Sequence, residues 1–144
     1  METIRRGKGR IARRRHGLLH FARVSLEVRF PAEETTLVLA CQGRGFFSQG
    51  SLEEVPASGY DDWKQGALAG IAYALAASGT SPCQITVTTI EGFSTDTNPT
   101  IVGGAAILAV WSAVAYQPAR KQLEHIDQLV FQSWSYPADH LPQF

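Results

Sequence analysis

Cysteine is nearly missing from this chain. Cys41 and Cys83 are the only two among 144 residues, too few for a disulfide framework or for a zinc site built on Cys-x-x-Cys pairs. Both fall in strand-like runs and read as small buried apolar residues of a reducing compartment, which points to the cytoplasm. Long apolar runs are missing too. No stretch could span a bilayer without charges, so no membrane partner is expected. The sequence has no Gly-x-x-x-x-Gly-Lys-Ser/Thr loop, no Gly-x-Ser-x-Gly, no His-Glu-x-x-His and no dinucleotide fingerprint after a strand. No cofactor, metal or nucleotide is therefore expected, and the balance leans away from an enzyme. The four histidines, His16, His20, His125 and His140, lie far apart, and none has a partner at ligand spacing.

Net charge is also absent, but only in the sum. Residues 1–17 hold Arg5, Arg6, Lys8, Arg10, Arg13, Arg14 and Arg15 against one acid, Glu2, a net +6. The rest has six basic and twelve acidic residues, a net −6. A basic arm is thus joined to an acidic body. The arm has three glycines and no apolar period, so it is expected to be flexible, with 18–144 forming one domain. Seven cations on such an arm would bind phosphate backbones without reading sequence. Two further origins for the arm stay open. An organelle presequence would be Arg-rich and acid-poor, although this segment lacks serine. A start further downstream would leave part of the arm outside the protein, since Met1 is the only methionine.

The whole chain has 44% hydrophobic and 18% charged residues, values of a folded domain. Val24, Leu26, Val28 and Phe30 alternate with polar residues, the period of a half-buried strand. Pro31 to Glu34 is a turn, and Thr35 to Cys41 a second β-rich run, so an antiparallel hairpin is expected. Ser51 to Val55 reads as a short third strand. Ser58 to Ser78 follows, a helix with Ser58 as N-cap, Asp61 and Asp62 in the first turn and Gly79 as its stop. Gly66 and Gly70 inside it predict a close neighbour. Cys83 to Glu91 is a β-branched strand. Asn98-Pro99 opens an Ala-rich helix to about Tyr116, apolar almost all round. A third helix begins at Pro118, with Leu123, Ile126, Val130 and Trp134 as its stripe. Tyr136 to Phe144 is expected to lie extended. This order predicts an α+β two-layer sandwich, a mostly antiparallel sheet covered on one face by helices.

Two loops are the candidate contact points. One runs from Gly43-Arg44-Gly45 to Gly50 and contains Phe46-Phe47. The second is Phe93-Ser94-Thr95-Asp96-Thr97-Asn98, at the start of the Ala-rich helix, where binding residues and helix-capping groups share the same chemistry. Arg44 is the only cation in either.

The helix–strand–loop–helix unit 58–116 resembles domain IV of translation elongation factor G and its eukaryotic counterpart. Thr95-Asp96-Thr97-Asn98 stands where that domain has Val-Asp-Ser-Ser, and Ala105 to Tyr116 resembles its Ala-rich helix. Val55-Pro56 before Tyr60, the pair Gly43 and Gly45, and Gly17 with His20 are similar to further landmarks of the family. Two departures stand out. Phe93-Ser94 occupies the place of the family's tip-loop histidine, and no GTPase motif is present. The resemblance implies a β-α-β left-handed crossover like that of a small-subunit ribosomal protein. It also implies a non-catalytic role contacting RNA or the ribosome. Two alternatives stand beside it. One is a protein-interaction module or homodimer using Phe46, Phe47 and the aromatic C-terminus. The second is a small ligand binder with Asp61, Asp62 and Asp96 around a cleft.

Overall fold

In a computed structural model, residues 1–137 and 141–144 are described; His140 lies outside the described residues. Two strands of thirteen residues, β1 (Thr3–Arg15) and β2 (Leu18–Phe30), form one long antiparallel hairpin. Then come β3 (Thr36–Leu39), β4 (Glu53–Glu54), α1 (Asp61–Ser78), β5 (Gln84–Gly92), α2 (Pro99–Ala113) and α3 (Arg120–Gln132). The sheet order is β1-β2-β5, with β3 and β4 sharing the far edge of β5. Both α1 and α2 lie on one face of this sheet, so the α+β sandwich expected from the element order is what forms.

The basic arm is not an arm. It is the edge strand β1, in register with β2 along its whole length. Its inward positions are Gly7, Gly9 and Ile11, all buried. The strand has the period of two, but glycine carries it, and glycine registers as neither apolar nor polar. A Cβ on Gly7 would run into the carbonyl oxygen of Ala109, and one on Gly9 into that of Ala105. Here α2 rests directly on the strand backbone, which only glycine permits.

The expected hairpin between the second and third strand-like runs does not form either. Both edges of β2 are taken, by β1 and by β5, so β3 crosses to the far side of β5 and pairs with it in parallel. Alternating Leu37 and Leu39 tell which face is inward but not which strand is adjacent. The sequence β3-α1-β5 is thereby a parallel β-α-β unit.

The helix starts follow local chemistry unevenly. At α2 the Asn98 side chain accepts from the Ile101 N–H at 2.9 Å, with Pro99 in the first turn. At α1 the expected cap Ser58 is bypassed. Tyr60 is the N-cap, in the left-handed region at φ 56°, with no side-chain cap. Its ring instead packs on Trp63, and its hydroxyl is held elsewhere. Gly79 ends the helix as expected.

Gly66 and Gly70 have the close neighbour that their positions predict. They face Pro99 and Gly103 of α2, backbone on backbone. Nearly every residue of α2 is buried, because α1, the hairpin and α3 cover it from three sides. Ile126 and Val130 of α3 close the third side, while Leu123 and Trp134 of the expected stripe remain exposed. Near the C-terminus, Phe144 packs against Tyr73 and His125.

Candidate nucleic-acid interface

The face of the sheet away from the helices is open. Strand alternation sets six cross-strand rows there. Ile4 stands beside Arg29, and Arg6 beside Glu27. Lys8 stands beside Ser25, and Arg10 beside Arg23. Ala12 stands beside Phe21, and Arg14 beside Leu19. On β5 the rows continue through Gln84, Thr86, the bulge residues Thr88 and Thr89, and Glu91. Phe93 extends the Phe21 row, with ring centroids 5.1 Å apart.

This face is split by charge. Arg6, Lys8, Arg10 and Arg14 form a lane along β1, spanning roughly 27 Å at the usual strand rise. Acids stand deeper in the sheet. Glu27 pairs with Arg6 at 3.2 Å, and Glu91 with Arg23 at 3.0 Å, while Glu54 is exposed on β4 beside Glu91. Among the described residues, Lys8, Arg10 and Arg14 have no ionic partner within 4.0 Å, so their charge is available.

The remaining cations expected to bind RNA divide. Arg5 is on the helix side of β1 by alternation. Arg13 and Arg15 point the same way: Arg13 pairs with Asp127 of α3, and the Arg15 guanidinium lies 4.9 Å from the Phe131 ring centroid. These two hold α3 down. Arg44 is at the opposite edge. Gly43 and Gly45 donate to the Val55 and Glu54 carbonyls at 2.9 and 2.7 Å, adding a short ladder outside β4. Four strand spacings, roughly 19 Å, therefore separate Arg44 from the β1 lane. The seven basic residues and Arg44 do not form one site. Gly43 is glycine because the chain presses on Glu54 there.

The 93–98 loop is fastened from inside. The Thr97 hydroxyl donates to the Phe21 carbonyl at 2.6 Å and accepts from the Phe93 N–H at 2.8 Å. Asn98 donates to Ser133 at 2.8 Å besides capping α2. Thr97 and Asn98 are buried and structural; Phe93, Ser94, Thr95 and Asp96 remain at least partly open to solvent. Ser94 is clamped by Glu53. That carboxylate, 3% exposed, accepts from the Ser94 N–H at 2.6 Å, the Ser94 hydroxyl at 2.7 Å and the Tyr60 hydroxyl at 2.8 Å. Burial, then the Glu53 hydrogen bond and charge, push the Tyr60 phenol up to about 12. Burial also raises the Cys41 and Cys83 thiols, which are free.

Sequence reasoning misses Glu53, and with it Arg23, Glu27 and Glu91. The last three could have been found by extending the strand alternation to its outward positions. Glu53 carries no such signal, because an acidic pair beside a turn is ordinarily a solvated one. The acidic cluster expected around a cleft does not assemble. A groove of about 460 Å³ runs between α1, the start of α2 and residues 141–144. Asp62 lines it, but Asp61 and Asp96 do not. No described helix is long and apolar enough to cross a membrane.

No family model matches the chain, and no curated protein matches it. Among solved structures it is similar to the crystal structure of ttk003000868 from Thermus thermophilus, with 17% identity and a TM-score of 0.58. The match covers 75% of this chain and 16% of that one. At this identity the likeness is one of fold.

Proposed function

We propose that this chain is a non-catalytic RNA-binding domain of the translation apparatus, acting in the cytoplasm. The observation that carries the proposal is the β1 lane. Lys8, Arg10 and Arg14 stand on one side of a fully paired strand, with no acid beside them among the described residues. A cation fixed on a sheet loses less freedom on meeting a phosphate than one on a mobile tail. The resemblance of residues 58–116 to domain IV of elongation factor G supports a ribosomal or RNA partner. The free buried thiols Cys41 and Cys83 support a reducing compartment.

The test is fluorescence anisotropy of labelled RNA against the full chain at two salt concentrations. Replacing Lys8, Arg10 and Arg14 by glutamine should abolish binding at moderate salt. It should also flatten the dependence of log K on log salt by about 2, at about 0.7 for each single-strand phosphate neutralised. Arg44→Gln, at the far edge, should change little. Unaltered binding by the triple variant would overturn the proposal.

A second reading has its own observation. Phe46 and Phe47 are adjacent on the 43–50 loop and 61% and 73% exposed. Such a pair suits self-association. Light scattering on the wild type and on Phe46→Ser/Phe47→Ser decides it: a dimer that the double variant turns into a monomer supports this reading.

A further inference from the structure

We infer that the RNA held on this face is an extended single strand lying along β1, rather than a duplex. The inference rests on the RNA-binding proposal above and names its ligand class. Three features converge on it. First, the available cations form one row. Lys8, Arg10 and Arg14 are all on β1, and side chains on one face of a strand repeat about every 6.8 Å. That repeat is close to the phosphate spacing of an extended chain. Second, the strands on which a second row of phosphates would lie carry acids that occupy the cations there. Glu27 stands one strand in from the edge, Glu91 two strands in, and Glu54 three. Arg6, Arg29 and Arg23 are engaged by Glu27 and Glu91, which leaves no free cation there for a second row of phosphates.

Third, the face offers an aromatic platform where a base would reach it. Phe93 is half-buried, its ring tilted against that of Phe21, in the row that lies between those of Arg10 and Arg14. A strand whose phosphates follow β1 would swing a base inward over Ala12, a residue too small to block it. Base-on-aromatic stacking needs an unpaired base, because in a duplex both faces are already stacked. The hydroxyls of Ser25, Thr86 and Thr89 on the same face suit the sugar edge of such a strand. The 93–98 loop is braced from behind by Thr97 and Glu53, so the platform is fixed before anything binds.

Anisotropy titrations of the full chain with oligouridine and with a blunt RNA duplex of equal length, at low salt, test this. The single strand should bind at least tenfold more tightly. Phe93→Leu, which keeps the apolar contact with Phe21 but removes the ring, should weaken oligouridine about fivefold or more and leave the duplex unchanged. Glu54→Gln should strengthen the duplex and leave oligouridine unchanged. Equal or tighter binding of the duplex, or an equal loss on both RNAs in Phe93→Leu, would overturn the single-strand assignment while the RNA-binding proposal stands. Failure of the wild type to bind either RNA would overturn both.

Discussion

Strands β1 and β5 belong to one sheet and reach the same core by opposite means. The centre strand β5 fills space: Ile85, Val87 and Ile90 project fully buried side chains under the helices. The edge strand β1 vacates it: Gly7 and Gly9 let the α2 backbone descend onto the strand. One strand is stabilised by burying apolar area, its counterpart by backbone-to-backbone proximity that neighbouring side chains then seal. The outward faces differ as well. That of β5 runs from Gln84 through neutral threonines to an acid, while that of β1 carries four cations, Arg6, Lys8, Arg10 and Arg14, with Ile4 and Ala12. Charge on an exposed edge also discourages pairing with a second copy.

The harshest way to break this comparison is to remove β1. A chain beginning at Gly17 would expose the Ala105, Ala109 and Ala113 side of α2 and free one edge of β2. We expect loss of a cooperative thermal transition, or a fall in Tm well beyond about 10 °C, since about 1 kcal/mol moves a domain of this size by several degrees. Calorimetry on the truncated and full chains measures it. An unchanged Tm would return residues 1–16 to the status of a mobile arm.

Next in size is a pair of substitutions that act in opposite senses on the two strands. Gly9→Val follows β-propensity and should stabilise a strand judged by sequence alone. In this fold its side chain meets the Ala105 carbonyl, backbone that cannot swing aside, so a loss of about 3 kcal/mol is expected. Ile85→Val removes one methylene from β5 and should cost about 1 kcal/mol. Urea titrations of both variants check the ranking. If Gly9→Val proves the milder, α2 does not rest on β1.

These two strands also mark what is legible before folding. In β5 the run Ile85-Thr86-Val87 declares its structure through β-branched residues and alternation. The α2 start is equally plain in Asn98-Pro99, since cap and first-turn proline are local chemistry. In β1 the alternation is of glycine with cation, and the reason for glycine lies far along the chain, in Ala105 and Ala109. The pairing of β3 with β5 is hidden similarly, because neighbour choice depends on which edges of β2 are already occupied. The candidate site shows the same division. The cations are legible as a group, but their sorting into an open lane, two α3 anchors and a remote Arg44 requires the sheet. Glu53 is invisible because its donors, Ser94 and Tyr60, are brought to it only by folding.

The smallest effect sharpens the comparison from the β5 side, at the Glu53 clamp on its far edge. Tyr60 donates to Glu53 at 2.8 Å, and its phenol is raised from 10.0 to about 12. The folded state therefore holds this proton more tightly than the unfolded chain. The stabilisation is fully present below pH 10 and is lost as pH rises through about 12. Tyr60 is partly exposed, so solvent screening keeps the effect small. Urea midpoints between about pH 9 and the folded-state value should decline in the wild type. They should decline less in Tyr60→Phe, which has no phenol to titrate and begins from a lower value, having lost the hydrogen bond. The same decline in both proteins would place the alkaline titration elsewhere. A wild-type curve that rises would mean that the phenolate, not the phenol, is the form the Glu53 clamp favours.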